Sequence, residues 1–159
     1  MQSIHINSTK AFMSSLLKGE LFDFMEVREV NIQTFISYSM NCKLNKDFFE
    51  DYEREELEEK NRDFCLWGDI RNFAFEIIKG KRTPKSFKIV LSLPVIYLKE
   101  IHDDASALFL NLNYDGKIIT CITGCSRRSF TLDKTVDILW DEYIINFFNK
   151  NNVLFDIIE

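Results

Sequence analysis

The chain is short of the residues that most often carry chemistry. Its 159 residues include two histidines, four cysteines, two prolines and five glycines. With only His5 and His102 present, the usual imidazole-based catalytic schemes have little to work with. The cysteines, Cys42, Cys65, Cys121 and Cys125, form no CxxC pair and no dense secreted-scaffold spacing. They read as small buried hydrophobes, not as disulfide partners or metal ligands, so neither a metal nor a cofactor is expected. There is no glycine-rich phosphate loop, dinucleotide fingerprint or HExxH motif. Apolar runs extend only a few residues, too short to span a membrane. The opening MQSIHINSTK lacks the basic start and apolar stretch of a signal peptide. Together these absences predict a soluble, cytoplasmic protein. Few Gly and Pro, and no repeat, also exclude a disordered or low-complexity chain.

What is present suits one globular domain over residues 1–159. The hydrophobic fraction is 46%, and 15 phenylalanines supply large pieces for a core. The charge is unevenly laid out. Lys46 to Asp63 holds nine acids against four bases, a net of −5 that equals the charge of the whole chain. Lys79 to Lys88 holds five bases and no acid. Such segregation creates local fields that attract or repel partners.

Periodicity gives the architecture. A cap-like Asn7-Ser8-Thr9 precedes Phe12, Met13, Leu16 and Leu17 at helical spacing, with Gly19 as a stop. Residues 21–32 read as a first strand whose apolar parity changes between Phe24 and Met25, the mark of a bulge or bend. Residues 36–44 alternate as a half-buried second strand. The acidic segment reads as a helix with Phe48, Phe49, Tyr52 and Leu57 as sparse anchors. A stronger helix runs from Trp67 to Lys79, ended by Gly80. A strand follows through Phe87, Ile89, Leu91 and Leu93, and Pro94 opens a short helix.

The clearest local signal is a hairpin from Ala107 to Thr123 around Asp115-Gly116, a two-residue turn in this reading. That pairing sets Leu112 opposite Ile119 and Leu110 opposite Cys121. Its other face (Phe109, Ile118, Ile122) is too apolar to be wholly wet, so a helix or a second subunit should cover it. A last helix from Asp133 to Lys150 stops at Asn151-Asn152, and Val153, Phe155 and Ile157 add an edge strand. The fold class is therefore α+β: a mainly antiparallel sheet built from hairpins, packed by about four helices.

Two places can bind an anion. The basic loop sets Lys79, Lys81, Arg82, Lys85 and Lys88 across a helix end, a loop and a strand start, where they can track phosphates. The corner Thr123 to Arg128 offers Gly124, Ser126, Arg127 and Arg128, suited to a small phosphorylated or carboxylated molecule. Cys125 beside two arginines would there have a lowered pKa. The triplet His102-Asp103-Asp104 reads as an exposed polar loop, since adjacent residues seldom converge on one substrate.

The stretches IIKGKRTPKSFKIVLSLP (Ile77 to Pro94) and LFLNLNYDGKIITCITG with SFTLDKTVDILWDE (Leu108 to Glu142) resemble an uncharacterised family of small proteins from clostridia-type bacteria. KAFMSSLLKGELFDF and KLNKDFFED are similar to its N-terminal half. The resemblance implies a bacterial cytosolic protein and transfers no functional residue.

The expected function is that of a non-enzymatic binding protein presenting residues 79–88 to an anionic macromolecule, nucleic acid or an acidic protein surface. The basic loop can also meet the acidic helix of its own chain or of a second copy. A small enzyme acting at residues 124–128 is the alternative. A structural homo-oligomer using the Phe109/Ile118/Ile122 face is the second alternative.

Overall fold

The computed structural model describes residues 1–158. Seven strands, β1 (Ser3–Ile6), β2 (Glu26–Gln33), β3 (Ser37–Asn41), β4 (Ser86–Ser92), β5 (Ala105–Tyr114), β6 (Ile119–Arg127) and β7 (Phe155–Ile158), form one sheet. Their spatial order is β3-β2-β4-β5-β6-β1-β7, and every neighbouring pair is antiparallel. Five helices accompany it: α1 (Thr9–Leu17), α2 (Asp51–Glu59), α3 (Trp67–Ile78), α4 (Leu98–Ile101) and α5 (Thr135–Lys150). This is the expected α+β class. No helix among the described residues is long and apolar enough to cross a membrane.

Two adjacent rows across the sheet show what each face is for. Met40, Val30, Ile89, Leu112, Cys121, Ile4 and Ile157 stand side by side in register. One residue along, the row is Ser39, Asn31, Lys88, Asn113, Thr120, His5 and Asp156, polar throughout. Successive side chains in a strand point to opposite faces, so the first row floors the core and the second lies on the other face. Above the core face, Phe12 of α1 meets Phe22 and Phe148, and the Trp67 indole N–H donates to the Leu16 carbonyl at 2.7 Å. Trp140 of α5 likewise donates to the Phe109 carbonyl at 2.8 Å. Each buried indole thus has its one donor satisfied.

Several expectations are corrected. The chain opens with a strand: Ser3–Ile6 inserts between β6 and β7, although four residues with only Ile4 and Ile6 apolar carry little pattern. The first expected strand starts late. Residues 21–24 form turns that drop Phe22 into the core, and the bulge lies between Val27 and Glu29.

The β5–β6 loop has four residues, Asp115 to Ile118, because the Asp115 carboxylate accepts from the Lys117 and Ile118 amides at 2.9 Å each. Tyr114 therefore pairs with Ile119, and Leu112 with Cys121. A shift of two keeps every side chain on its expected face.

Of the anchors expected for α2, Phe49 and Leu57 are half-buried, while Phe48 and Tyr52 are 86% and 71% exposed, because α2 lies beyond the end of edge strand β3. The packed helices occupy the core face, so among the described residues no helix covers Phe109, Ile118 and Ile122. Segment 62–66 reaches that side instead, and the Arg28 guanidinium lies 4.1 Å from the Phe64 ring centroid and 5.3 Å from that of Phe109.

Candidate anion-binding groove

The basic loop acquires its geometry from the pairing of two residues 53 apart in sequence. Gln33 ends β2 opposite Ser86 at the start of β4, and the Lys85 amide donates to the Gln33 carbonyl at 2.8 Å. This sets residues 80–85 beside the β2–β3 turn, which is closed by the Thr34 amide donating to the Ile36 carbonyl at 2.9 Å. Phe35, at the tip of that turn, is 88% exposed. The end of α3 supplies Lys79, whose amide donates to the Phe75 carbonyl at 2.8 Å. Thr34, Phe35, Ile77, Lys79, Arg82, Thr83 and Lys85 together line a groove of about 360 Å³.

The five cations divide. Lys79, Arg82 and Lys85 share this groove. Lys79 is also paired with Glu76 at 2.8 Å, and Lys88 with Glu29 at 3.2 Å. Lys81, Arg82 and Lys85 are exposed and make no ion pair among the described residues. Lys81 does not line the groove. Lys88 faces a second groove, of about 370 Å³, lined by Asn31, Gln33, Ser86, Asn113 and Thr120 among others. The two grooves abut, since Thr34 and Lys85 of the first follow Gln33 and precede Ser86 of the second. A track of cations therefore continues into a surface that mixes amides and hydroxyls with Ile118 and the Asp115 carboxylate. The acidic helix does not neutralise it: α2 lies beyond the Asn41 end of β3, while the basic loop lies beyond the Ser37 end.

Residues 124–128 are arranged differently from a turn. Gly124 to Arg127 belong to β6, with Gly124 paired to Phe109 and Ser126 to Ala107. The Arg127 guanidinium donates to the Asp133 carbonyl and stands 3.8 Å from the Asp137 carboxylate. The Arg128 amide donates to the Asp104 carbonyl at 2.8 Å. Burial pushes the Cys125 thiol up to about 11, helped by its 3.2 Å contact with Asp137, so it is not the lowered thiol its arginine neighbours suggest. His102 accepts the Asp104 amide on Nδ1 at 3.0 Å. The Asp104 carboxylate accepts from Ser129 Oγ at 2.7 Å, which holds it below its ordinary value. This triplet ties two loops together, and no group of three metal-ligating side chains converges among the described residues.

Sequence reasoning missed two features. One is Phe35, which reads as one more core phenylalanine until the turn is seen. The other is Glu26, 1% exposed, whose Oε1 has no hydrogen-bond partner among the described residues. Burial pushes its carboxyl up to about 7, against the pull of Arg28 and Arg62.

The chain is thus an α+β protein with one open sheet face and a basic, aromatic-tipped groove at its end. Residues 15–156 match the model of DUF5721, a family of unknown function, and the chain belongs to that family. No curated protein and no solved structure matches the chain.

Proposed function

We propose that this protein is a binding protein, not an enzyme, and that it takes a single-stranded nucleic acid along the Phe35/Lys79/Arg82/Lys85 groove. The observation that carries this reading is the grouping of three cations around an almost fully exposed phenylalanine. Cations follow a phosphate backbone without regard to sequence, and an exposed ring gives a base something to stack on. An apolar ring held in water has no evident structural role at the tip of a turn, whereas a stacking platform needs that exposure. The abutting surface of Asn31, Gln33, Ser86, Asn113 and Thr120 offers amides and hydroxyls to the strand as it leaves the groove.

The other readings have less support. Anion binding at residues 124–128 would have to compete with the Asp133 and Asp137 contacts of Arg127. Oligomerisation through Phe109, Ile118 and Ile122 would have to displace or bury the Arg28 guanidinium that lies over Phe109.

The test is fluorescence anisotropy with a labelled single-stranded oligonucleotide over a salt series. Each phosphate contact adds about 0.7 to the slope of log affinity against log salt. Arg82→Glu with Lys85→Glu is expected to reduce that slope by about 1.4, and Lys81→Glu, outside the groove, by less. Phe35→Ala is expected to weaken binding by roughly 5- to 150-fold, the equivalent of about 1–3 kcal/mol of stacking, with no change in the salt slope. Absence of binding at low salt, or equal effects of Lys81→Glu and Arg82→Glu, overturns the proposal.

A further inference from the structure

The acidic stretch leaves the sheet as an arm and comes back to it. After β3 the chain departs through Cys42 to Leu44, runs through α2 and returns at Asp63 to Leu66. Three contacts close the base of the arm. The Leu44 amide donates to the Asp63 carbonyl at 2.8 Å, the Cys65 amide to the Cys42 carbonyl at 3.0 Å, and Lys46 pairs with Asp63 at 2.8 Å. No residue of α2 is buried; beyond the base, Arg62 reaches the Asp69 carboxylate of α3 at 4.0 Å, and the Val27 amide donates to the Cys65 carbonyl at 2.9 Å.

The antiparallel bridge between Lys43 and Phe64 sets the register, and one step toward the sheet Cys42 stands opposite Cys65. Opposite residues of an antiparallel pair have Cα atoms about 4.5–5.5 Å apart, inside the roughly 4.4–6.8 Å range of a disulfide. Both side chains line one groove of about 380 Å³, together with Met40, Phe48 and Phe49, so they lie on the same side and a small reactant can reach them. Both are free thiols; Cys42 is 7% exposed and Cys65 is half-buried.

We propose that Cys42 and Cys65 form a dithiol oxidation site at the base of the acidic arm, with a hydroperoxide as oxidant and an intramolecular disulfide as product. Cys65 is the attacking group. It is the more accessible of the two, and the neighbouring Cys42 thiol holds it below its ordinary value against the opposing effects of burial and Asp69. Cys65 and burial push Cys42 upward. The Cys65 thiolate attacks the terminal peroxide oxygen, the O–O bond breaks, and the sulfur is oxidised to a sulfenic acid. The departing alkoxide or hydroxide takes a proton from water. The Cys42 sulfur then attacks the sulfenic sulfur: the S–S bond forms, the S–O bond breaks, and the Cys42 proton leaves with the hydroxyl as water. Two thiols and one hydroperoxide give one disulfide, one water and one alcohol (a second water when the oxidant is hydrogen peroxide).

The other two cysteines are not equivalent to this pair. Cys121 is fully buried and its thiol is pushed up, and Cys125 is pushed up to about 11. Four residues apart on β6, they are separated by about 13 Å and cannot bridge. At the proposed site, opposite Cβ atoms about 4.5–5.5 Å apart must draw together to about 3.5–4.5 Å, which favours a readily reduced bond. Closing residues 42–65 into a loop locks the base of the arm.

The test uses the reduced 159-residue chain with hydrogen peroxide. Peptide mass mapping is expected to show a Cys42–Cys65 disulfide while Cys121 and Cys125 remain thiols, with full reversal by dithiothreitol. Hydrogen exchange of the α2 amides is expected to slow at least about tenfold on oxidation. Cys42→Ser is expected to leave a sulfenic acid at Cys65 that dimedone traps. Oxidation of Cys125 ahead of Cys65, a sulfinic acid at Cys65 without the disulfide, or unchanged α2 exchange overturns the proposal. Wild-type mass mapping decides the matter even if a serine variant fails to fold.

Discussion

Glu26 shows how a single side chain can set the pH response of the fold. It faces Ser92 across the β2–β4 pair, where the Arg28 Nε donates to Ser92 Oγ at 3.0 Å, and Glu26 Oε1 has no partner among the described residues. Burial raises its carboxyl from 4.5 to about 7. Between those values the folded chain holds a proton that the unfolded chain releases. The resulting stabilisation is complete below about pH 4.5 and is lost as pH rises through about 7. The displacement corresponds to on the order of 3 kcal/mol. Glu26→Gln keeps a neutral group at every pH. In urea melts it is expected to match the wild type near pH 4.5 and to be the more stable protein at pH 8, with a flatter profile between. Parallel profiles for the two proteins would contradict this account.

Among the elements, the β5–β6 hairpin connects a turn to the proposed binding groove. Gly116 adopts φ +102°, and a Cβ there would come within 2.9 Å of the Lys85 carbonyl oxygen. The turn therefore packs against the backbone of the basic loop and helps to place Lys85. Gly116→Ala is expected to cost about 1–3 kcal/mol in thermal or urea unfolding, and also to weaken oligonucleotide binding by moving that loop. Unfolding unchanged within 0.5 kcal/mol, roughly the scatter of neutral surface substitutions, would contradict the close approach.

Much of this element structure is legible in sequence, since alternation marks β3 to β6 and helical spacing marks α1, α3 and α5. The hairpin register is not legible, because Asp115-Gly116 suits a two-residue turn until the Asp115 carboxylate is seen gathering two further amides. The burial of Glu26 is hidden by the bulge, which breaks the alternation at the point where a polar residue turns inward. The groove is the least legible feature, because Phe35 and Arg82 meet only through the pairing of Gln33 with Ser86.

At the scale of the molecule, opposite charges occupy opposite ends of the β2–β3 edge. The acidic arm follows Asn41 and the basic loop lies beyond Ser37. The five residues of β3 separate them by about 17 Å, more than a Debye length at physiological salt. The net charge of −5 therefore does not prevent an anion from approaching the basic end, where the local field has the opposite sign.

The most direct test of the binding account is amide chemical-shift mapping of the labelled protein titrated with a single-stranded oligonucleotide. Perturbations are predicted at residues 33–36 and 79–88, extending to Asn31, Asn113 and Thr120 on the open face, with the 46–63 arm silent. Perturbations confined to residues 124–134, or none at all at low salt, would contradict it.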